Sequence, residues 1–117
     1  MSDIWIGTGD GLVGCTLVPA PADAKVCRLR GRRLMFLTDV YTSPGMRRSG
    51  CGHALLTLAL AYAKARRIDL CLYAHSHGKG SSKISDAALE RWYANFGFIK
   101  IRPEPQGWMV WRYDRPA

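Results

Sequence analysis

Residues 43–56 read Ser-Pro-Gly-Met-Arg-Arg-Ser-Gly-Cys-Gly-His-Ala-Leu-Leu and join two strongly patterned segments. Before them, Arg33 to Thr42 is rich in Leu, Met, Phe, Val and Tyr, the composition of a central strand. After them, Leu55, Leu56, Leu58, Ala59, Tyr62 and Ala63 recur at steps of three and four, which predicts a helix from about Gly50 to Arg67. Ser43-Pro44-Gly45 breaks the strand. Gly50 and Gly52 then weaken the helix just where it starts. A helix start leaves backbone N–H groups without partners and carries partial positive charge. Glycines let an anion approach that backbone closely, and Arg47 and Arg48 add side-chain charge. The stretch therefore reads as a diphosphate site. A plain strand-to-helix turn that happens to hold two glycines is the competing reading.

The remaining pattern sets the fold class. Residues 3–7 and Leu12 to Val18 read as a hairpin around Gly9-Asp10-Gly11. Lys25 to Arg30 and Arg33 to Thr42 read as strands around a turn at Gly31-Arg32. Asp69 to Ala74 reads as a buried strand, and His75 to Ser85 as a glycine- and serine-rich loop. Ser85 or Asp86 caps a second helix ending near Asn95 or Phe96, with Gly97 as its stop. Phe98 to Arg102 and Trp108 to Tyr113 read as strands, the last as an edge. The expected fold is α+β: a mixed, mostly antiparallel sheet flanked by helices.

The chain's 117 residues suit one domain, 1–117. No apolar run approaches the roughly 18 residues of a membrane span, and no signal peptide is expected. Four scattered cysteines read as reduced thiols, so a cytoplasmic protein is expected. The net charge of +8 suits an anionic ligand, an acidic partner or nucleic acid. Five of the nine residues from Lys25 to Arg33 are basic, which reads as a solvated hairpin face or a partner-binding patch.

The features the loop lacks narrow the choice of diphosphate ligand. A nucleotide P-loop ends in Gly-Lys-Ser/Thr, and none is here. A dinucleotide fingerprint needs a third glycine. What remains is Arg47-x-x-Gly50-x-Gly52, preceded by Pro44, which resembles the acyl-CoA pyrophosphate loop of the GCN5-related N-acetyltransferases. A second stretch, Glu90-Arg-Trp-Tyr-Ala-Asn-Phe-Gly-Phe98, resembles that family's later motif, with Tyr93, Gly97 and Phe98 in place. The two motifs fall in the right order, with one helix, one strand and one loop between. The resemblance covers about residues 33–113 and implies the family's fold with a shortened N-terminal region. Members usually begin with a strand and two helices that close over the acceptor. Here about 32 residues precede the central strand, with no helical pattern in them. The loop and tail look like very small members found in phages and prophages, one of which acetylates and disables a CRISPR nuclease.

The resemblance implies acetyl-CoA as co-substrate, with no metal. It implies that the end of the central strand splays from its neighbour, with backbone groups of Val40, Tyr41 and Thr42 holding the pantetheine arm and thioester carbonyl, and it places the pyrophosphate on Met46, Arg47, Arg48, Ser49, Gly50, Cys51, Gly52 and His53. Ser82 and Lys83, with Lys79, are candidates for touching the nucleotide end, against a plain solvated loop. Tyr93 is the candidate general acid, since a phenol with an ordinary pKa near 10 is protonated at pH 7. Its alternative role is a core aromatic beside Leu89 and Phe96. Where related enzymes often carry a base, this chain has Phe36 and Thr38, neither of which takes a proton. His75 and His77 are candidates by titration range. Asp39 is one residue off and is expected on the opposite face. A water chain or an already neutral amine serves equally.

The expected activity is direct acetyl transfer to a primary amine, with a protein lysine or N-terminus favoured because a missing lid leaves room for a large acceptor. A phage-derived protein aimed at a host defence protein fits the likeness to small phage members. A non-catalytic module gripping nucleic acid or an acidic protein through the basic hairpin (Arg28, Arg30, Arg32, Arg33) is the rival from another class. A small-molecule amine acetyltransferase is the second rival. No membrane partner is expected, and the chain is a monomer or homodimer.

Overall fold

The computed structural model describes residues 3–8, 13–42, 51–73, 86–101 and 108–114. Six strands form one sheet: β1 (Ile4–Gly7), β2 (Val13–Pro19), β3 (Arg33–Thr42), β4 (Ile68–Tyr73), β5 (Ile99–Lys100) and β6 (Trp108–Trp111). Their order across the sheet is β1-β2-β3-β4-β6-β5. Every neighbouring pair is antiparallel except β3 and β4. That parallel pair exists because α1 (Cys51–Ala65) carries the chain from the end of β3 back to the start of β4. A second helix, α2 (Asp86–Ala94), comes after β4.

Both helices cover one face of the sheet. Leu55, Leu56, Ala59 and Ala63 of α1 and Tyr93 of α2 pack with Cys15, Leu17, Met35, Leu37, Leu70, Leu72 and Met109. These sheet residues share a face because strand side chains alternate. The opposite face has a smaller core of Leu34, Cys71, Trp108 and Val110, closed by Ala24 and Cys27. Trp108 anchors it, fully buried, with Phe36 edge-on at 5.7 Å and Tyr73 at 4.1 Å.

The structure corrects four expectations. Ala22–Cys27 is a 3-10 helix, so the segment from Lys25 is not a strand and the basic run is not a hairpin. Ala24 and Cys27 are fully buried, three residues apart, which is the spacing at which a 3-10 turn presents one face. The last strand, β6, is internal, lying between β4 and β5. Helix α1 ends at Ala65 rather than Arg67, and Arg67 turns the chain into β4 with φ 57°, a left-handed conformation. The basic run is also not uniformly solvated, because Arg32 is tied into ion pairs with Asp69 and Asp114.

Gly97 does stop α2. It sits at φ 101°, Phe98 N–H reaches back to the Tyr93 carbonyl at 3.3 Å, and Gly97 N–H bonds the Ala94 carbonyl at 3.0 Å. This double closure requires a left-handed residue that only glycine adopts freely. Its consequence is positional, because it fixes the end of the helix that carries Tyr93.

Candidate active site

The parallel ladder between β3 and β4 is short. It runs Arg33↔Ile68, Leu34↔Asp69, Met35↔Leu70, Phe36↔Cys71, and stops. Yet β3 continues to Thr42 and β4 to Tyr73. Each keeps its other neighbour throughout. Val13 still pairs with Thr42, and Trp108 still pairs with Tyr73. The two central strands therefore part beyond Phe36 and Cys71. Among the described residues, no strand bonds the β3 edge facing β4 from Leu37 to Thr42. Backbone N–H and C=O groups on such an edge, here one side of a wedge, demand partners.

An irregularity in β3 lies at the start of the wedge. Thr16 pairs with Thr38 and Gly14 with Tyr41, so two residue steps on β2 face three on β3. The additional residue falls at Asp39–Val40, a β-bulge. Bulges bend a strand and re-aim the side chains beyond them. Thr38 is the last regularly paired residue before the bulge.

Helix α1 opens beside the wedge, since the chain enters it from the end of β3. Cys51, Gly52 and His53 form its first turn, and that turn contains no acidic residue. The His53 ring rests on Phe96 at 4.9 Å, and the Thr57 hydroxyl donates to the His53 carbonyl at 2.8 Å. His53 thus joins the beginning of α1 to the end of α2. Of the other expected cofactor residues, Val40, Tyr41 and Thr42 lie on the unpaired half of β3. Met46, Arg47, Arg48, Ser49, Gly50, Ser82 and Lys83 lie outside the described residues, as do Lys79 and the base candidates His75 and His77.

Tyr93 is buried, 7% exposed, with its ring edge-on to Phe98 at 5.6 Å and Trp92 at 5.1 Å. Both readings of this residue meet in one place. It belongs to the core, and its electrostatic neighbour is the Cys15 thiol. Cys15 is the β2 residue opposite the bulge. Burial, with the Cys15 thiol adding to it, pushes the Tyr93 phenol up to about 12. Burial pushes the Cys15 thiol up to about 11. A buried phenol of this kind stays protonated through the neutral range.

The other buried thiols are inert. Cys71 and Cys27 are fully buried, and Cys71 donates to the Met35 carbonyl at 3.6 Å. Its hydrogen bond with Cys27 and its burial both raise its pKa, which withholds the reactive thiolate. Among the described residues no group of three or more His, Cys, Asp or Glu side chains is arranged to hold a metal ion. No described helix is long and apolar enough to cross a membrane.

Sequence reasoning locates the helix start and Tyr93, and the family resemblance implies a splayed end to the central strand, but the residues at which β3 and β4 part and the bulge are not legible in it. Both depend on pairing between strands distant in the chain. The only local trace is that the apolar run of β3 is longer than that of β4.

The structure thus combines a sheet whose central parallel strands part, a helix that starts beside the parting with Gly52 in its first turn, and a buried tyrosine on the second helix. The acetyltransferase (GNAT) family model matches residues 4–98, and the chain belongs to that family. It is an acetyl-CoA-dependent N-acetyltransferase by that membership, with acetyl-CoA as co-substrate. Among solved structures, the anti-CRISPR protein AcrVA5 is similar at TM-score 0.65 and 17% identity, over 95% of this chain and 99% of that one. An aminoglycoside 6'-N-acetyltransferase complexed with coenzyme A is similar at TM-score 0.62 and 14% identity, over 98% of this chain and 76% of that one. YhbS of Escherichia coli, a GNAT family N-acetyltransferase in complex with CoA, is similar at TM-score 0.60 and 12% identity, over 92% and 57%. At these identities the likeness is one of fold. No curated protein matches the sequence.

Proposed function

We propose that the chain forms one acyl-CoA-binding domain, 1–117, that transfers acetyl directly to an amine on a protein, a lysine side chain or an N-terminus. The observation that carries this reading is the wedge between Leu37–Thr42 and the end of β4, opening beside the first turn of α1. The pantetheine arm lies along Val40, Tyr41 and Thr42, completing the interrupted ladder with its own amides. The segment from Met46 to His53 holds the pyrophosphate. Ser82 and Lys83 serve the nucleotide end.

In this reading the amine attacks the thioester carbon, a tetrahedral oxyanion forms, and collapse expels the thiolate. Tyr93 is the hydrogen-bond donor and acid at the leaving sulfur. A phenol near 12 gives up its proton poorly to an ordinary thiolate, whose pKa is about 8.5. The same surroundings, however, push the Cys15 thiol to about 11. Burial acts on any thiolate in the same sense, raising its basicity and so easing the transfer. The base is His75, His77, Asp39, a water chain, or none if the amine arrives neutral.

A large acceptor is supported by the face opposite the two helices. Among the described residues, only the 3-10 helix covers it. A phage-derived protein directed at a host defence protein is supported by the likeness to AcrVA5 over nearly the whole of both chains. A cytoplasmic location is supported by Cys15, Cys27 and Cys71 standing as thiols rather than in disulfides.

Calorimetry of acetyl-CoA on the wild type and on Gly50→Ala/Gly52→Ala, with desulfo-CoA as control, tests the site. The double variant should lose at least about tenfold in affinity, roughly 1.4 kcal/mol. Equal affinity removes the phosphate cradle. No wild-type binding at near-millimolar acetyl-CoA removes the enzymatic reading and favours the non-catalytic binding module.

A further inference from the structure

The face of the sheet away from α1 and α2 carries exposed side chains to which the acetyl-transfer reading gives no role. At one end lies the 3-10 helix, with Lys25 and Val26 on its outer side and Arg28, Leu29 and Arg30 after it. Val26 is 43% exposed and Leu29 44%. Lys25, Arg28 and Arg30 form no ion pair with any described residue. Of the acidic groups nearby, Asp69 and Asp114 are bound to Arg32, and Asp23 in the first turn of the 3-10 helix leaves the run from Lys25 to Arg30 with a surplus of positive charge. At the other end is Trp5, 54% exposed. A Cβ on Gly14 would stand only 2.8–3.0 Å from the Trp5 indole, so the ring lies against bare backbone. Gly14 pairs with Tyr41 on the unpaired half of β3. The indole therefore sits one strand away from the wedge, on the side the helices leave open.

Resting on the acetyl-transfer reading of the wedge, we propose that this face docks an extended acidic segment of a protein substrate. Lys25, Arg28 and Arg30 meet its carboxylates, and Trp5 receives the aliphatic stem of the acceptor lysine. Charge complementarity selects the occupant: three cations without an acidic partner among the described residues, interleaved with two exposed aliphatic side chains, fit an acidic polypeptide with apolar residues. Single-stranded nucleic acid would call for aromatic stacking partners among the cations, and this run has none. The indole face attracts an ammonium group and packs on its methylene stem, which suits lysine. The spacing also sets the pattern expected in the substrate. Four to seven residues of β3 separate Leu34, beneath the 3-10 helix, from Thr38 and Tyr41 beside Trp5. At about 3.3 Å per residue this spans roughly 13–23 Å, so the acidic residues lie about four to seven positions from the lysine.

The test uses two conjugates in which a peptide lysine is joined through an acetyl bridge on its ε-nitrogen to the sulfur of CoA. One peptide carries Asp and Glu at those positions, and the other carries Asn and Gln. By calorimetry at low salt the acidic conjugate should bind about tenfold more tightly. Arg28→Glu/Arg30→Glu, or Lys25→Glu as a second variant, should erase that gap, as should high salt, with affinity for CoA itself unchanged. Trp5→Ala should weaken both conjugates relative to CoA, and Trp5→Phe should restore them. Equal affinity of the two conjugates, with CoA still bound, overturns the docking proposal alone. Loss of CoA binding in the wild type overturns the acetyl-transfer reading and this proposal with it. A steeply salt-dependent affinity for duplex DNA, lost in the charge-reversed variants, with no gain for the acidic conjugate, assigns the face to nucleic acid and also overturns it.

Discussion

Asp69→Asn should cost this protein about 3 kcal/mol of stability while leaving acetyl-CoA binding intact. Asp69 is fully buried at the start of β4. It accepts from Arg32 Nε at 2.9 Å and Nη2 at 2.7 Å, from Arg112 Nη1 at 3.0 Å and from the Tyr113 backbone N–H at 3.2 Å. These partners come from before β3 and after β6, so one carboxylate ties together the end of the sheet where β3 and β4 are still paired. Breaking a buried ion pair by removing one partner costs about 3–5 kcal/mol. The lower end applies because the cations left behind are not sealed from water. The Arg32 side chain is 21% exposed and that of Arg112 is 18% exposed. Arg32 also keeps Asp114 at 2.9 Å and lies 4.3 Å from the Tyr113 ring centre. An asparagine keeps the Tyr113 contact but turns an amide donor toward a guanidinium. Urea denaturation followed by circular dichroism reads the loss directly, and a thermal melt should fall by roughly 10–15 °C. Nine steps along β3 put Thr42 roughly 30 Å from Arg33, so acetyl-CoA affinity measured well below the melt should not change. A stability loss below about 1 kcal/mol would refute the claim that this network closes the base of the wedge.

Tyr93→Phe keeps the ring contacts and removes only the proton, so kcat on an acidic lysine peptide should fall about 100-fold or more with acetyl-CoA affinity unchanged; a kcat within threefold of wild type dismisses the acid. Tyr93 and Cys15 both have folded pKa values raised above their ordinary ones, to about 12 and about 11, so the folded state keeps protons that the unfolded chain releases. Stability is therefore full below about pH 9 and falls as pH rises through 11 and 12, and Tyr93→Phe/Cys15→Ala should flatten that fall in urea titrations at stepped pH. Gly14→Ala forces the exposed Trp5 ring to move, since the nearest indole atom would be 2.8 Å from the new methyl. The cost should stay near 1 kcal/mol because the ring has solvent to move into, and the Trp5 indole N–H resonance should shift while those of buried tryptophans hold.

Much of the scaffold is decided by local pattern. The expected helix over 50–67 is α1 at Cys51–Ala65, and the expected second helix is α2 at Asp86–Ala94 with Gly97 as its stop. Period and capping chemistry decide these within one or two turns of chain. The segment from Lys25 reads as a strand in sequence because apolar Cys27 and Leu29 alternate with Arg28 and Arg30. The buried pair Ala24 and Cys27, three apart, instead serves the second core beneath Trp108. Packing against a distant tryptophan overrides local preference, as it does for short elements. The same distance effect explains β6. Its place inside the sheet depends on β5 coming to lie outside it, which no window along the chain displays.

The sequence by itself determined the family, the mixed fold class, the glycine-bearing helix start and the position of Tyr93, because each is written in residues a few positions apart. Only the tertiary structure decided where β3 leaves β4, where the bulge falls, what buries Tyr93 and which face the helices leave open. Those features arise when strands more than 30 residues apart in the chain pair for four residues and then diverge, and that pairing is stabilised by contacts no local segment contains.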